Sequence, residues 1–303
     1  MSGPVAGDWC EAPWRTRLAR RAPLVGRLAK LLGPRSQRWR ELAEDVAFWE
    51  GVRGSVSEAE WRRLTSSYAV LVYHRFAGEL KPGQERIDLD PRRFRRHLRL
   101  LRALGFKTLS PRELLAFHRG ERNDLPRRRF VITVDDAMAD ATEPLRQAAG
   151  LAPQLFVPTA EVGKSAHWIA GEPVASWDEV QGLAAAGVVV GSHTRHHRRL
   201  TELAPTEREV ELVGSLAELR EQVPEAVAVL AYPNGDHDEA VCAATREAGY
   251  ALAYTTEKGR NGAASDPYRL RRVSVHGADG ALAVLWKVLT GEALPPLWLR
   301  LRR

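Results

Sequence analysis

A chain of 303 residues is long enough for one large α/β domain or two small ones, and far too long for a stapled mini-scaffold. Apolar residues at 44% and charged residues at 27% exclude a largely disordered or collagen-like protein, and two cysteines, Cys10 and Cys242, allow at most one bridge and no Cys-x-x-Cys site for zinc or redox work. The net charge of +7 sits at one end: residues 1–40 carry Arg15, Arg17, Arg20, Arg21, Arg27, Lys30, Arg35, Arg38 and Arg40 against Asp8 and Glu11, which accounts for all of it.

In chain order, residues 1–66 are expected to form a basic, Trp-rich helical arm. Within it Leu24, Val25, Leu28, Leu31 and Leu32 give one apolar face behind Pro23. Trp39, Leu42, Val46 and Trp49 recur at spacings of three and four, and Ser57 with Glu60 has the spacing of a capping box. The arm suits either an anionic membrane surface or packing on the domain; with no recognisable binding module, nucleic acid is an unlikely partner. The start MSGPVAGDWCEAPWRTR lacks the pattern of a signal peptide, and no apolar run reaches the length of a membrane span. The expected location is therefore cytoplasmic, with peripheral attachment at the inner face of the membrane an option.

From residue 67 to 290, eight short β-rich runs alternate with helical stretches: AVLVYH (69–74), FKTL (106–109), RFVITV (129–134), QLFVP (154–158), GVVVG (187–191), VAVLAY (227–232), YALAYT (250–255) and RLRRVSV (269–275). Between them DPRRFRRHLRLLRALG, SWDEVQGLAAAG, PTEREVELVGSLAELREQV and DEAVCAATREAG read as helices. Such alternation means parallel strands joined by crossover helices. Polar residues gather just after strands, where barrels place their active sites, so the fold class is α/β, a distorted (β/α) barrel of seven or eight parallel strands. Residues 291–303, with LPPLWLRLRR, form a basic and apolar tail.

Three clusters at strand ends carry chemistry. Asp135 and Asp136 end the strand FVITV; His193-Thr-Arg-His-His197 follows GVVVGS; and Tyr232-Pro233-Asn234-Gly235 follows VAVLA. Histidines at i and i+4 can present two imidazoles to zinc, and Asp136 would complete a three-ligand site with a position left for water. Asp135 would then be the base that takes the proton of that water. Each cluster also has an ordinary reading: Asp-Asp as a turn or helix cap, HTRHHRR as a solvated basic loop with His196 as a bystander.

The order AVLVYHRF, FKTLSPRELLAF, FVITVDDA, SWDEVQGLAAAGVVVGSHTRHHRRL, VLAYPNG and EAGYALAYTTEKG resembles the polysaccharide deacetylases of the NodB-homology type, carbohydrate esterase family 4. The likeness covers about residues 67–290. It implies a distorted (β/α) barrel that removes an N-acetyl or O-acetyl group from a sugar with a divalent metal, usually zinc. By motif position it implies Asp135 as catalytic base and Asp136, His193 and His197 as metal ligands. It also implies an oxyanion-hole donor on the backbone near Asn234, with Tyr232 and Pro233 shaping that loop. The branches acting on poly-N-acetylglucosamine resemble this chain in a Tyr-His pair at the first strand, here Tyr73-His74, which makes His74 the preferred general acid; His276 occupies the late position used by other branches.

Two departures accompany the likeness. Ala137 and Met138 stand where Gly and an aromatic are usual, and Ala231 replaces an arginine that some branches carry, a charge that Arg271 or Arg272 would have to supply beside Asp135. The expected substrate is an N-acetylated polysaccharide, oligosaccharide or lipid-linked glycan. The alternatives are a noncatalytic glycan- or lipid-binding protein on the same barrel, or a related carbon–nitrogen hydrolase such as a deformylase.

Overall fold

A computed structural model describes residues 67–293, apart from 78–86, 123–124, 126–127 and 170. The expected arm and all but the first three residues of the expected tail lie outside the described residues. Among the described residues no helix is long and apolar enough to cross a membrane.

All eight expected strands form: β1 (Ala69–Tyr73), β2 (Lys107–Thr108), β3 (Arg129–Val134), β4 (Gln154–Val157), β5 (Val189–Ser192), β6 (Val229–Ala231), β7 (Leu252–Tyr254) and β8 (Val273–Ser274). They make one parallel sheet in the order β7-β6-β5-β4-β3-β1-β8, with β2 paired to the start of β3. The sheet curls until its ends meet. Tyr254 bridges to Leu270, and Thr255 N–H donates to the Leu270 carbonyl (2.8 Å), while Val275 N–H donates to Val72 (2.9 Å). The segment running into β8 therefore joins β7 to β1 and closes a distorted (β/α) barrel.

The helices are α1 (Pro91–Ala103), α2 (Pro111–His118), α3 (Thr142–Ala148), α4 (Trp177–Ala186), α5 (Pro205–Gln222), α6 (Glu239–Glu247) and α7 (Ala281–Thr290). Their starts are encoded locally. Asp90 caps α1 ahead of Pro91, and Ser110 with Glu113 and Ser176 with Glu179 form capping boxes for α2 and α4.

Strand alternation divides the core. Val70, Val131, Phe156, Val229, Leu252 and Leu270 pack together inside the barrel, with Leu114 and Phe117 of α2. Leu71, Ile132, Val134, Leu155, Val157 and Val190 face outward to α1, α3, α4 and α7. Gly191 is required by this interior: a Cβ there would lie 2.8 Å from the Phe156 ring and 2.8 Å from the Val229 carbonyl. The inward row Val131, Thr133 continues to Asp135, so the first carboxylate of the pair belongs to the barrel mouth.

Candidate metal centre and active site

Asp135 is buried and receives two hydrogen bonds from Arg272, from Nη1 to Oδ1 and from Nη2 to Oδ2, both 2.7 Å. Arg272 comes from the closing strand and lies inside the barrel, where its Nε donates to the Thr255 carbonyl (2.7 Å) and Nη1 to Thr133 Oγ1 (3.3 Å). Burial pushes the Asp135 pKa up, but the Arg272 guanidinium, reinforced by His193 and His74, outweighs it and holds the carboxyl below its ordinary value. Of the two arginines offered as partners for Asp135, Arg272 is the one that reaches it. Arg271 is a correction: strand alternation turns it outward, to a half-exposed position 3.7 Å from Glu257.

Alternation would also send Asp136 outward, yet its φ of 70° turns the chain back. Its Oδ1 lies 3.5 Å from His193 Nε2 and 3.2 Å from His197 Nε2, and one ligand atom from each of the three residues falls within 4.8 Å of the others. His193 Nδ1–H donates to the Ala231 carbonyl (2.7 Å), which leaves Nε2 as the free donor. The two histidines are presented by a turn rather than a helix, with positive φ at Thr194 (64°) and His197 (57°).

A divalent cation fits this donor set. Among the described residues, the buried Asp136 carboxylate has ion-pair partners only in the two imidazoles, and an uncompensated carboxylate is costly to bury. Two neutral nitrogens and one carboxylate, with the tautomer of one imidazole set by a carbonyl, make the ligand type preferred by zinc and similar ions. Strain points to the same place: among the described residues, five of the seven non-glycine residues with positive φ are Asp136, Ala137, Thr194, His197 and Asn234. Ala137 at φ 48° takes up the left-handed turn that a glycine would make, so the departure from the expected glycine leaves the loop geometry intact.

His74 follows β1, half-buried, and its charge helps hold both Asp135 and Asp136 down. Among the described residues its Nδ1 has no hydrogen-bond partner. His276 follows β8, where its backbone N–H donates to Asp279 Oδ2 (2.7 Å). Pro233, Asn234 and Gly235 form a single turn, with Asn234 at φ 59°. Gly235 cannot be replaced there, because a Cβ would lie 2.1 Å from Thr256 Oγ1. The Tyr232 side chain is buried, donating to the Tyr268 carbonyl (3.1 Å) and stacking on His237 at 5.6 Å. It supports the turn from within the fold and does not face the mouth.

Sequence reasoning missed three supports. Trp168 stacks on His197 with ring centroids 4.3 Å apart and planes at 13°, and its Nε1–H donates to Asp136 Oδ1 (3.1 Å). Glu211 on α5 accepts from the backbone N–H groups of Arg195 and His196 (both 2.9 Å) and pairs with His196 Nδ1 (2.7 Å). His196 is therefore part of the loop's anchorage. Arg75, buried beside His74, lies 3.1–3.2 Å from Asp88, Asp140 and Glu172, tying the exit of β1 to the loop after Asp136. Only a lone tryptophan and charged residues at strand and helix positions signalled these contacts, and long-range partners have no local pattern.

Residues 122–253 match the family model for polysaccharide deacetylases. Those residues carry a polysaccharide deacetylase domain. A domain of this kind is that of a hydrolase of non-peptide carbon–nitrogen bonds. YxkH of Bacillus subtilis, itself assigned to the polysaccharide deacetylases, is 24% identical over 210 residues, 68% of this chain and 70% of that protein. The fold is shared with the Streptococcus pyogenes deacetylase PplD, solved in complex with acetate, at TM-score 0.63 and 20% identity over 74% of this chain and 99% of that one. It is shared equally with IcaB from Ammonifex degensii, at TM-score 0.62 and 23% identity over 72% and 95%.

Proposed function

We propose that the polysaccharide deacetylase domain removes the acetyl group from an N-acetylated amino sugar in a glycan, using a divalent metal, zinc by preference, held by Asp136, His193 and His197. The observation that carries this is the convergence of those three donors within 4.8 Å beside an Asp135 carboxylate gripped by Arg272. When bound, the cation supplies Lewis-acid chemistry, polarising the amide carbonyl and acidifying water.

The chain's own residues do the rest. Asp135, kept ionised by Arg272, accepts the proton of the attacking water. The Asn234 backbone N–H, on its strained turn, donates to the developing oxyanion. His74, half-buried beside both carboxylates with Nδ1 unpartnered among the described residues, delivers a proton to the departing amine, with His276 as the alternative acid.

The test combines metal analysis with acetate release from N-acetylglucosamine oligomers. Near one metal per chain is expected in the wild type and none in the Asp136→Ala, His193→Ala, His197→Ala variant. Acetate release is expected from the wild type, while Asp135→Asn keeps its metal and releases none. Metal absent from both proteins overturns the centre, and metal bound without acetate release overturns the glycan substrate.

A further inference from the structure

The six arginines of α1, Arg92, Arg93, Arg95, Arg96, Arg99 and Arg102, share a helix that contains no Asp or Glu. Several arginines elsewhere on the surface are paired: Arg119, Arg146, Arg198, Arg199, Arg269 and Arg271 each lie 2.6–3.9 Å from a carboxylate. Among the described residues, no carboxylate forms an ion pair with any arginine of α1. Arg99 has Arg95, Arg96 and Arg102 one turn away, and like charges at these spacings oppose the helix by about 0.2–0.5 kcal/mol per pair. With no carboxylate paired to them among the described residues, these guanidinium groups are available to an anion outside the helix.

The place where such an anion would sit is concave. Arg95, Arg99 and Arg102 rim a groove of about 350 Å³ between α1 and α3, floored by Phe94, Leu98, Pro144 and Leu151. Among the described residues no carboxylate lines it; the neighbouring Glu143 is engaged by Gln147 (2.7 Å) and Arg146 (3.8 Å). Guanidinium groups above an apolar floor suit a phosphate head with a hydrocarbon chain attached. A hydrophilic polyanion would satisfy the rim and leave the floor without a partner.

We propose that the α1–α3 groove is a docking site for anionic phospholipid at a bilayer surface, separate from the barrel mouth and independent of the deacetylase chemistry. Each arginine near an acidic bilayer contributes about 1 kcal/mol, roughly fivefold in binding, and three therefore about a hundredfold. The test is sedimentation of the full chain with phosphatidylcholine vesicles, with or without phosphatidylglycerol, at low and high salt. Wild type binds only the vesicles containing phosphatidylglycerol, and less at high salt. The Arg95→Gln, Arg99→Gln, Arg102→Gln variant, with an unchanged thermal melt, loses at least tenfold, whereas the charge-matched Arg119→Gln, Arg246→Gln, Arg269→Gln variant loses far less. Equal loss in the two variants, equal binding to both vesicle types, or binding to double-stranded DNA without binding to vesicles overturns the proposal.

Discussion

At the scale of single residues the centre is a balance of buried charges. Arg272 is fully buried and is the strongest influence opposing the upward push of burial on Asp135. Changing Arg272 to Met leaves that carboxylate buried and unpaired, a cost of about 3–5 kcal/mol. With the pKa of the base no longer held down, the acidic limb of kcat/KM moves to higher pH. Denaturant titration and a pH–rate profile check both effects. Arg271→Met, at a half-exposed position, changes stability by no more than about 0.5 kcal/mol, and a loss like that of Arg272 would reverse the assignment of the pair. The sequence contained this partnership as two adjacent arginines, and only alternation about a closed barrel says which faces in. Trp168 was less legible still, because a loop tryptophan carries no periodicity. Its N–H orients the carboxylate of Asp136, so Trp168→Phe, which retains the ring against His197, weakens metal binding by about tenfold to a hundredfold. Competition against a chromogenic chelator measures this, and unchanged affinity would show that the stacking alone matters.

At the scale of elements, the strands were legible because buried parallel strands are continuous apolar runs such as VVV and VAVLAY. Of the helices, α1, α4, α5 and α6 were legible as the polar-apolar stretches between strands, whereas α2, α3 and α7 were not singled out. The metal loop's dependence on α5 was not, since Glu211 lies 15 residues beyond His196 on a helix whose sequence reads as ordinary amphipathic surface. Glu211→Ala removes the acceptor for two backbone N–H groups, each about 1–3 kcal/mol when left buried and unsatisfied. A stability loss of at least about 2 kcal/mol and a weaker metal site are expected, with Glu211→Gln recovering much of both; calorimetric metal titration of the two variants decides it. The packing of α1 holds a second titration. His97 is buried against the Asp279 carbonyl (3.0 Å), and burial lowers its pKa from 6.5 to about 4. Because the folded form resists protonation, its stability is complete above pH 6.5 and declines as pH falls toward 4, by about 2 kcal/mol at pH 5. Urea denaturation at pH 7 and pH 5 should show that loss in the wild type and a smaller one in His97→Gln; equal losses would place the pH sensitivity elsewhere.

At the scale of the whole barrel, the centre is assembled from strands far apart in the sheet. Asp135 and Asp136 leave β3, His193 and His197 follow β5, the Ala231 carbonyl that sets the His193 tautomer ends β6, and Arg272 arrives on the segment that joins β7 to β1. Parallel strands joined by crossovers put all these C-terminal ends on one rim, so the alternation of elements already implied that the three polar clusters converge. What it left open was closure, which rests on backbone pairing at Leu270 and Val275. A cation bound across β3 and β5 acts on the folded form alone, since the unfolded chain separates Asp136 from His193 by 57 residues. Its binding energy is therefore added to the stability of the barrel. At a free metal concentration about 100 times the dissociation constant the gain is about 2.7 kcal/mol, which for a domain of this size raises Tm by about 5–10 °C. Thermal melts in zinc and in chelator should differ by that amount for the wild type and for Asp135→Asn, and should coincide for the variant lacking Asp136, His193 and His197. A shift that persists in that variant would mean that the ion stabilises the chain from some other place.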